Sequence, residues 1–224
     1  WYDAMLKTAP ITSYNLTLTS NKEKVNTAVI AGVFDQKGVV VNTDYQRYSL
    51  RMNTDYQVSD KINIGVNVAP NYVYDNTPRT DGTRGTGILF NALHTWPVMD
   101  IYDSNGELTY FNRFPSNTGN IFAYPNWVRS AQEITNETRR TNVLTNTYAE
   151  WKPIKGLSLK STFNVEVSNS RFFSFSPSTA TSRINVAIPT VAQSNRDDYS
   201  SLSWLNENIA TYRTAINDHS LEAL

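Results

Sequence analysis

The chain has 224 residues, with 20 Lys+Arg against 20 Asp+Glu and no formal net charge, which argues against both a nucleic-acid binder with its basic footprint and an acidic tail. Charged residues make up 18%, below the roughly 25% of ordinary soluble domains. Their place is taken by 25 Asn, 25 Thr and 20 Ser, with 13 Tyr, a composition suited to a pleated, half-exposed surface. With no Cys, disulfides, thiol catalysis and thiolate metal sites are excluded; only His94 and His219 exist to serve a histidine cluster,. No apolar run approaches the ~20 residues of a membrane helix.

In chain order, period-two alternation predicts strands at Tyr14–Ser20, Val25–Phe34, Tyr45–Tyr56, Ile62–Tyr74, Asn142–Trp151, Leu157–Ser168 and Ser200–Arg213, with a last one starting at His219. Tyr48, Leu50 and Met52 alternate with Arg47, Ser49, Arg51 and Asn53. Ile62, Ile64, Val66 and Val68 alternate with Asn63, Gly65 and Asn67. Leu159, Phe163 and Val165 alternate with Lys160, Thr162, Asn164 and Glu166. In Ser200–Arg213 the facing is open, since Trp204 and Leu205 cannot share a side. Several of these runs exceed the usual ~5–6 residues of a globular strand and match the ~9–11 tilted residues that span a bilayer.

The connections sort by length. Asn21–Lys24, Ser59–Lys61, Pro153–Lys155 and Asn217–Asp218 are short; Asp35–Asp44, Asp75–Thr141 and Ser176–Tyr199 are longer. In an antiparallel meander successive connections fall on opposite ends, so all the short turns share one end, the signature of an outer-membrane barrel. The fold class expected is all-β, an antiparallel transmembrane β-barrel fold of about eight strands. Its long extracellular loops are expected to contain short helices. Leu50, Met52, Ile64, Val66, Val68, Leu159, Phe163 and Val165 are expected to face lipid. Arg47, Arg51, Asn53, Asp55, Asn63, Asn67, Lys160, Thr162, Asn164 and Glu166 are expected to face the lumen, where their polarity is ordinary. Tyr72, Tyr74, Trp151, Phe173 and Phe175 are placed for aromatic girdles.

Residues 75–141 are too long for a structureless loop. Gly87–Trp96, ended by Pro97, and Trp127–Glu137 are expected helices, and Asp103-Ser104-Asn105-Gly106 a hairpin turn. Ile101 stands where an EF-hand needs a carboxylate, so this turn is no calcium loop. Trp96, Tyr102, Tyr110 and Trp127 are candidate ligand or lid contacts, weighed against their forming the loop's own core. No nucleophile elbow accompanies His94, Asp100 and Asp103. Asp197-Asp198 reads as polar loop surface, and Gly82-x-x-Gly85-x-Gly87 follows no buried strand that would make it a phosphate cradle. Neither an enzyme nor a cofactor is expected.

Certain runs resemble a known family. SYNLTLTS at Ser13–Ser20 and AGVFDQKGVVVNTDYQRYSLRMNTDYQV at Ala31–Val58 are similar to the barrel of SusC/RagA-type TonB-linked outer-membrane proteins of Bacteroidetes. So are Trp1-Tyr2-Asp3, Thr8-Ala9-Pro10, WPVMDIYDSNG at Trp96–Gly106, YAEWKPIKGLSLKSTFNVE at Tyr148–Glu166 and WLNENIATYRTAINDHSLEAL at Trp204–Leu224. The resemblance implies a barrel of about 22 strands around a plug. It implies a bacterial outer-membrane location and a SusD-like surface lipoprotein as lid. It also implies import of oligosaccharides or peptides driven by TonB through the plug. On that reading 1–224 is part of one TonB-dependent receptor β-barrel domain in contact with outer-membrane lipid, 75–141 is an extracellular loop insertion, and the plug and remaining strands lie outside the chain. The alternative is a soluble carbohydrate-binding or adhesin β-sandwich with the aromatic loop as its site. A secreted glycosidase is a distant third.

Overall fold

The structure is a computed structural model describing residues 1–77, 87–115, 121–184, 186, 188–216 and 219–224. A short helix α1 (Tyr2–Met5) leads into β1 (Ile11–Lys22), β2 (Val25–Lys37), β3 (Asp44–Ser59) and β4 (Ile62–Asn76). The long connection holds α2 (Ile88–Leu93), the small hairpin β5 (Phe111–Pro115) and β6 (Ile121–Pro125), and α3 (Trp127–Glu133). The main sheet resumes with β7 (Thr135–Trp151), β8 (Leu157–Ser176), β9 (Gln193–Ile216) and β10 (His219–Ala223). Eight strands form one antiparallel sheet in the order β1-β2-β3-β4-β7-β8-β9-β10, so every pairing is between sequential strands of the meander. β1 and β10 are its two edges.

The strands run past the lengths that alternation predicts. β9 has 24 residues, roughly 80 Å of chain at about 3.4 Å per residue, far more than a bilayer requires. β7 starts at Thr135, so the second loop helix ends at Glu133 rather than Glu137, and the inserted connection is 77–134 rather than 75–141. Its helical apolar spacing stops where Thr135, Asn136 and Thr138 take up ladder pairs with Phe175, Ser174 and Phe172. Likewise Asp197 and Asp198 lie within β9, paired with Phe172 and Arg171, not in a loop. The Gly82 and Gly85 positions and the Asn217–Asp218 turn lie outside the described residues.

Two turns show why their residues are needed. Gly106 (φ 83°) closes the Asp103 turn, where the Asp103 carboxylate accepts the N–H groups of Asn105 and Glu107, both at 2.9 Å. Gly156 (φ 88°) closes the β7–β8 turn against the backbone of Arg213, whose N–H donates to the Gly156 carbonyl at 2.8 Å.

The dry core lies off the sheet. Met5, Val40, Ile88, Ala92, Trp127, Val128, Ala131, Ile134 and Ala180 form one buried cluster, drawn from the N-terminus and the connections 38–43, 77–134 and 177–192. The segments interlock through polar groups as well. Asn42 Nδ2 donates to the carbonyls of Ala131 and Gln132 at 3.0 and 3.1 Å, Ser130 Oγ to that of Thr181 at 2.8 Å, and Lys7 N–H to Val39 at 2.8 Å. The longer connections and the N-terminal helix thus make a single cap at one end of the sheet.

Candidate functional site

Side-chain direction alternates along a strand, so register assigns every residue of the sheet to a face. Leu16, Ala31 and Leu50 are successive partners, as are Leu18, Val29, Met52 and Val68. Further along, Val66 sits beside Thr147, Thr147 beside Phe163, and Val165 beside Trp204. The eight residues expected to face lipid all share this apolar face. Few are covered: Leu16 and Leu18 are each 58% exposed, and Trp204 is 67% exposed. The pairing of Trp204 with Val165 and of Leu205 with Asn164 decides the facing left open by sequence: Trp204 belongs to the apolar side and Leu205 to the polar one. Tyr14, Tyr48 and Tyr72 mark the apolar belt at the cap end, and Trp151 marks it at the short-turn end. Phe173 and Phe175 share the face but lie farther out than Arg171.

The ten residues expected to face the lumen all lie on the opposite face, and register arranges them in rows across the strands. Asn53, Asn67, Asn146 and Asn164 are consecutive partners across β3, β4, β7 and β8. Asn146 Nδ2 donates to Asn164 Oδ1, while the buried Oδ1 of Asn53 has no partner among the described residues. The next row is Asp55, Gly65, Tyr148 and Thr162. Tyr148 lies flat across Gly65, where an added Cβ would stand 2.1 Å from the ring, and its hydroxyl donates to Asp55 at 2.7 Å. The Lys160 ammonium sits 4.5 Å from the same ring. One row further, Glu150 accepts from Asn63 at 3.1 Å and from Ser158 at 2.7 Å. Towards the cap, Glu166 accepts from Asn142 at 3.1 Å and the Arg47 guanidinium lies 5.7 Å from the Phe34 ring. Arg51 stands in the row of Ile30. This face is a wall of amides and hydroxyls with interspersed charges of both signs.

The loop aromatics divide. Trp127 is fully buried and donates from Nε1 to Thr95 Oγ1 at 2.8 Å, so it belongs to the core of the cap and is not available as a surface contact. The physical reason is its place at the first turn of α3, whose start is fixed by Asn126 accepting the N–H groups of Val128 and Arg129. Trp96, Tyr102 and Tyr110 are exposed, with Tyr110 under the Arg129 guanidinium at 4.3 Å. The rings of Phe111, Phe114 and Phe122 lie outside the described side chains. His94 stacks on Phe90 and its Nδ1 meets the Phe90 carbonyl. Among the described residues no three His, Asp or Glu side chains converge as a metal site.

A cluster that the strand pattern does not pick out lies on the apolar side near the cap. Arg139 and Arg171 are direct cross-strand partners. Arg171 and Arg196 both donate to Asp198 at 2.7 Å. Doublet Arg139-Arg140 at the start of β7 was the available signal. The earlier start of β9, which brings in Arg196 and Asp198, gave none.

An open antiparallel wall with a lipid-type belt on one face, a wet face on the other and a cap at one end defines a segment of a large outer-membrane-type barrel. No family profile matches the chain. Two receptors of Formosa agariphila do. TonB-dependent receptor P26 is 29% identical over 231 residues, and TonB-dependent receptor P3 is 24% identical over 228. Each alignment covers 100% of this chain but only 21% and 22% of the receptor. The RagAB peptide importer in its open-open state superposes with a TM-score of 0.78 at 22% identity, over 99% of this chain and 24% of that one. Its closed-closed state gives 0.77. By sequence the chain is similar to TonB-dependent receptors and by fold to the barrel of the RagAB importer, and it spans about a fifth of the length of the curated relatives it matches.

Proposed function

We propose that this chain forms part of the wall and outer loops of a TonB-dependent transporter in the bacterial outer membrane, which imports oligomers with a SusD-like surface lipoprotein. The observation that carries the reading is the register: one continuous belt of uncovered Leu, Val, Ile, Met and Trp backs onto rows of Asn, Tyr and charged residues. A soluble monomer rarely exposes an apolar patch beyond a few hundred Å². A β-sandwich would cover that face with a second sheet. Among the described residues the only other sheet is the β5–β6 hairpin, which disfavours the soluble carbohydrate-binding or adhesin reading. The apolar belt meets outer-membrane lipid, and the cap lies on the outside as the extracellular insertion.

For the imported ligand, peptide is favoured over glycan because the RagAB structures are of a peptide importer; their RagB component supports a surface-lipoprotein partner. The rows of Asn53, Asn67, Asn146 and Asn164 supply paired donors and acceptors that suit amide backbones and sugar hydroxyls alike. Exposed Trp96, Tyr102 and Tyr110 on the cap face the lid side, and TonB acts through a plug held against the wet wall.

Val66→Arg against Asn67→Arg in the full-length protein tests the facing. Arginine at Val66 should cost about 2–4 kcal/mol of folding in bilayers, and at Asn67 much less. Equal folded yields, or the reverse order, overturn the membrane assignment. Uptake of defined peptides against oligosaccharides by cells expressing the protein then decides the substrate class.

A further inference from the structure

Two hollows adjoin on the apolar face just below the cap. The first, of about 530 Å³, is an apolar trough across β1 to β4, floored by Ala31 and walled by Tyr14, Leu16, Tyr48 and Tyr72. The second, of about 490 Å³, is polar and lies across β4, β7, β8 and β9, lined by Arg139, Asn169, Arg171 and Asp198. Tyr72 and Thr141 line both, so the trough and the polar hollow meet at these two residues.

The charges at the polar end do not balance. Like charges directly opposite on neighbouring strands are destabilising, yet Arg139 faces Arg171. Arg139 pairs with Glu137 at 2.9 Å, while Arg171 and Arg196 share the one carboxylate of Asp198. Three guanidinium groups thus meet two carboxylates. Each arginine is about half exposed, and Arg139 also lies 5.7 Å from the Tyr74 ring. The surplus charge sits at the aromatic rim of the belt, where a headgroup lies when the chains beneath it are in lipid.

We propose that these two hollows form one site for a phosphorylated membrane lipid: an acyl chain in the trough, and its phosphate between Arg139 and Arg171. Guanidinium groups recognise phosphate bidentately, and a bound phosphate relieves the Arg139–Arg171 juxtaposition. The small floor residue Ala31 leaves room for a chain that a larger side chain would displace. The site rests on the membrane reading given above and adds to it a specific lipid.

The test is native mass spectrometry of the full-length protein extracted from outer membranes, counting phosphorylated lipids retained. The double variant Arg139→Gln with Arg171→Gln should lower lipid occupancy roughly 30-fold, about fivefold for each arginine near a membrane surface. Ala31→Trp, which fills the trough with both arginines intact, should lower it as well, and Arg47→Gln on the opposite face should not. Unchanged occupancy in the double variant overturns the site. So does loss of the adduct on adding inorganic phosphate with no effect of Ala31→Trp, which marks a free-anion site. Retention of a protein on this face in place of lipid overturns it too. Recovery of wild-type protein in the soluble fraction instead defeats the membrane reading itself, and is read separately by fractionation.

Discussion

The wall and the cap obey opposite rules. In the wall, large apolar side chains such as Leu50, Met52, Val66, Phe163 and Trp204 remain uncovered, and the opposite face is polar. In the cap, Met5, Ile88, Trp127 and Ala131 are completely dry, and the polar side chains of Asn126, Ser130 and Thr95 are buried with hydrogen-bond partners. The cap is an ordinary small hydrophobic core assembled from four chain segments. Among the described residues the wall has no core of its own; on the reading proposed above, its apolar surface meets lipid. One chain therefore carries two solutions to apolar burial, joined at the strand ends.

The difference can be broken most severely in the cap. Trp127→Ala removes the largest buried side chain and its bond to Thr95, and should cost about 3–5 kcal/mol of cap stability. Limited proteolysis should then cut within 77–134 while the strands stay protected; equal loss of protection in the strands would show that wall and cap fold as one unit. On the wall, Gly65→Ala drives a Cβ into the Tyr148 ring and should cost roughly 1–3 kcal/mol. Adding Tyr148→Ser should recover most of that loss in a double-mutant cycle, because the conflict lies between those two side chains. Simple additivity would show that the ring does not rest on Gly65.

A smaller effect sharpens the boundary. Asn126→Ala removes the cap of α3 and its bonds to Ile101 and Thr109, and should lower cap stability by about 1–2 kcal/mol, read by hydrogen exchange at Val128 and Arg129.

The strands were legible because a two-residue period survives wherever two faces meet different surroundings, and Ile62–Val68 or Leu159–Val165 show it without interruption. The ends were not. Thr135–Thr141 and Gln193–Tyr199 continue the sheet without a two-residue apolar period, with side chains that would suit a loop equally well, so β7 and β9 extend farther than their pattern shows. In β9 the polar Asn206 and Asn208 share the face of Trp204, and Leu205 and Ile209 the other, which erases the period. The lining expected at Arg47 to Glu166 shares one face. Trp127, read as a contact or as core, is core.

Sequence alone determined the all-β class, the meander, the faces of β3, β4 and β8 and the sorting of short and longer connections, because each is written in local spacing. Tertiary structure decided what is non-local. Register placed Asn53, Asn67, Asn146 and Asn164 in one row. It set Arg139 opposite Arg171. The gathering of α1, 38–43, 77–134 and 177–192 into one dry cap depends on segments distant in the chain finding a common core, a choice no window of residues contains.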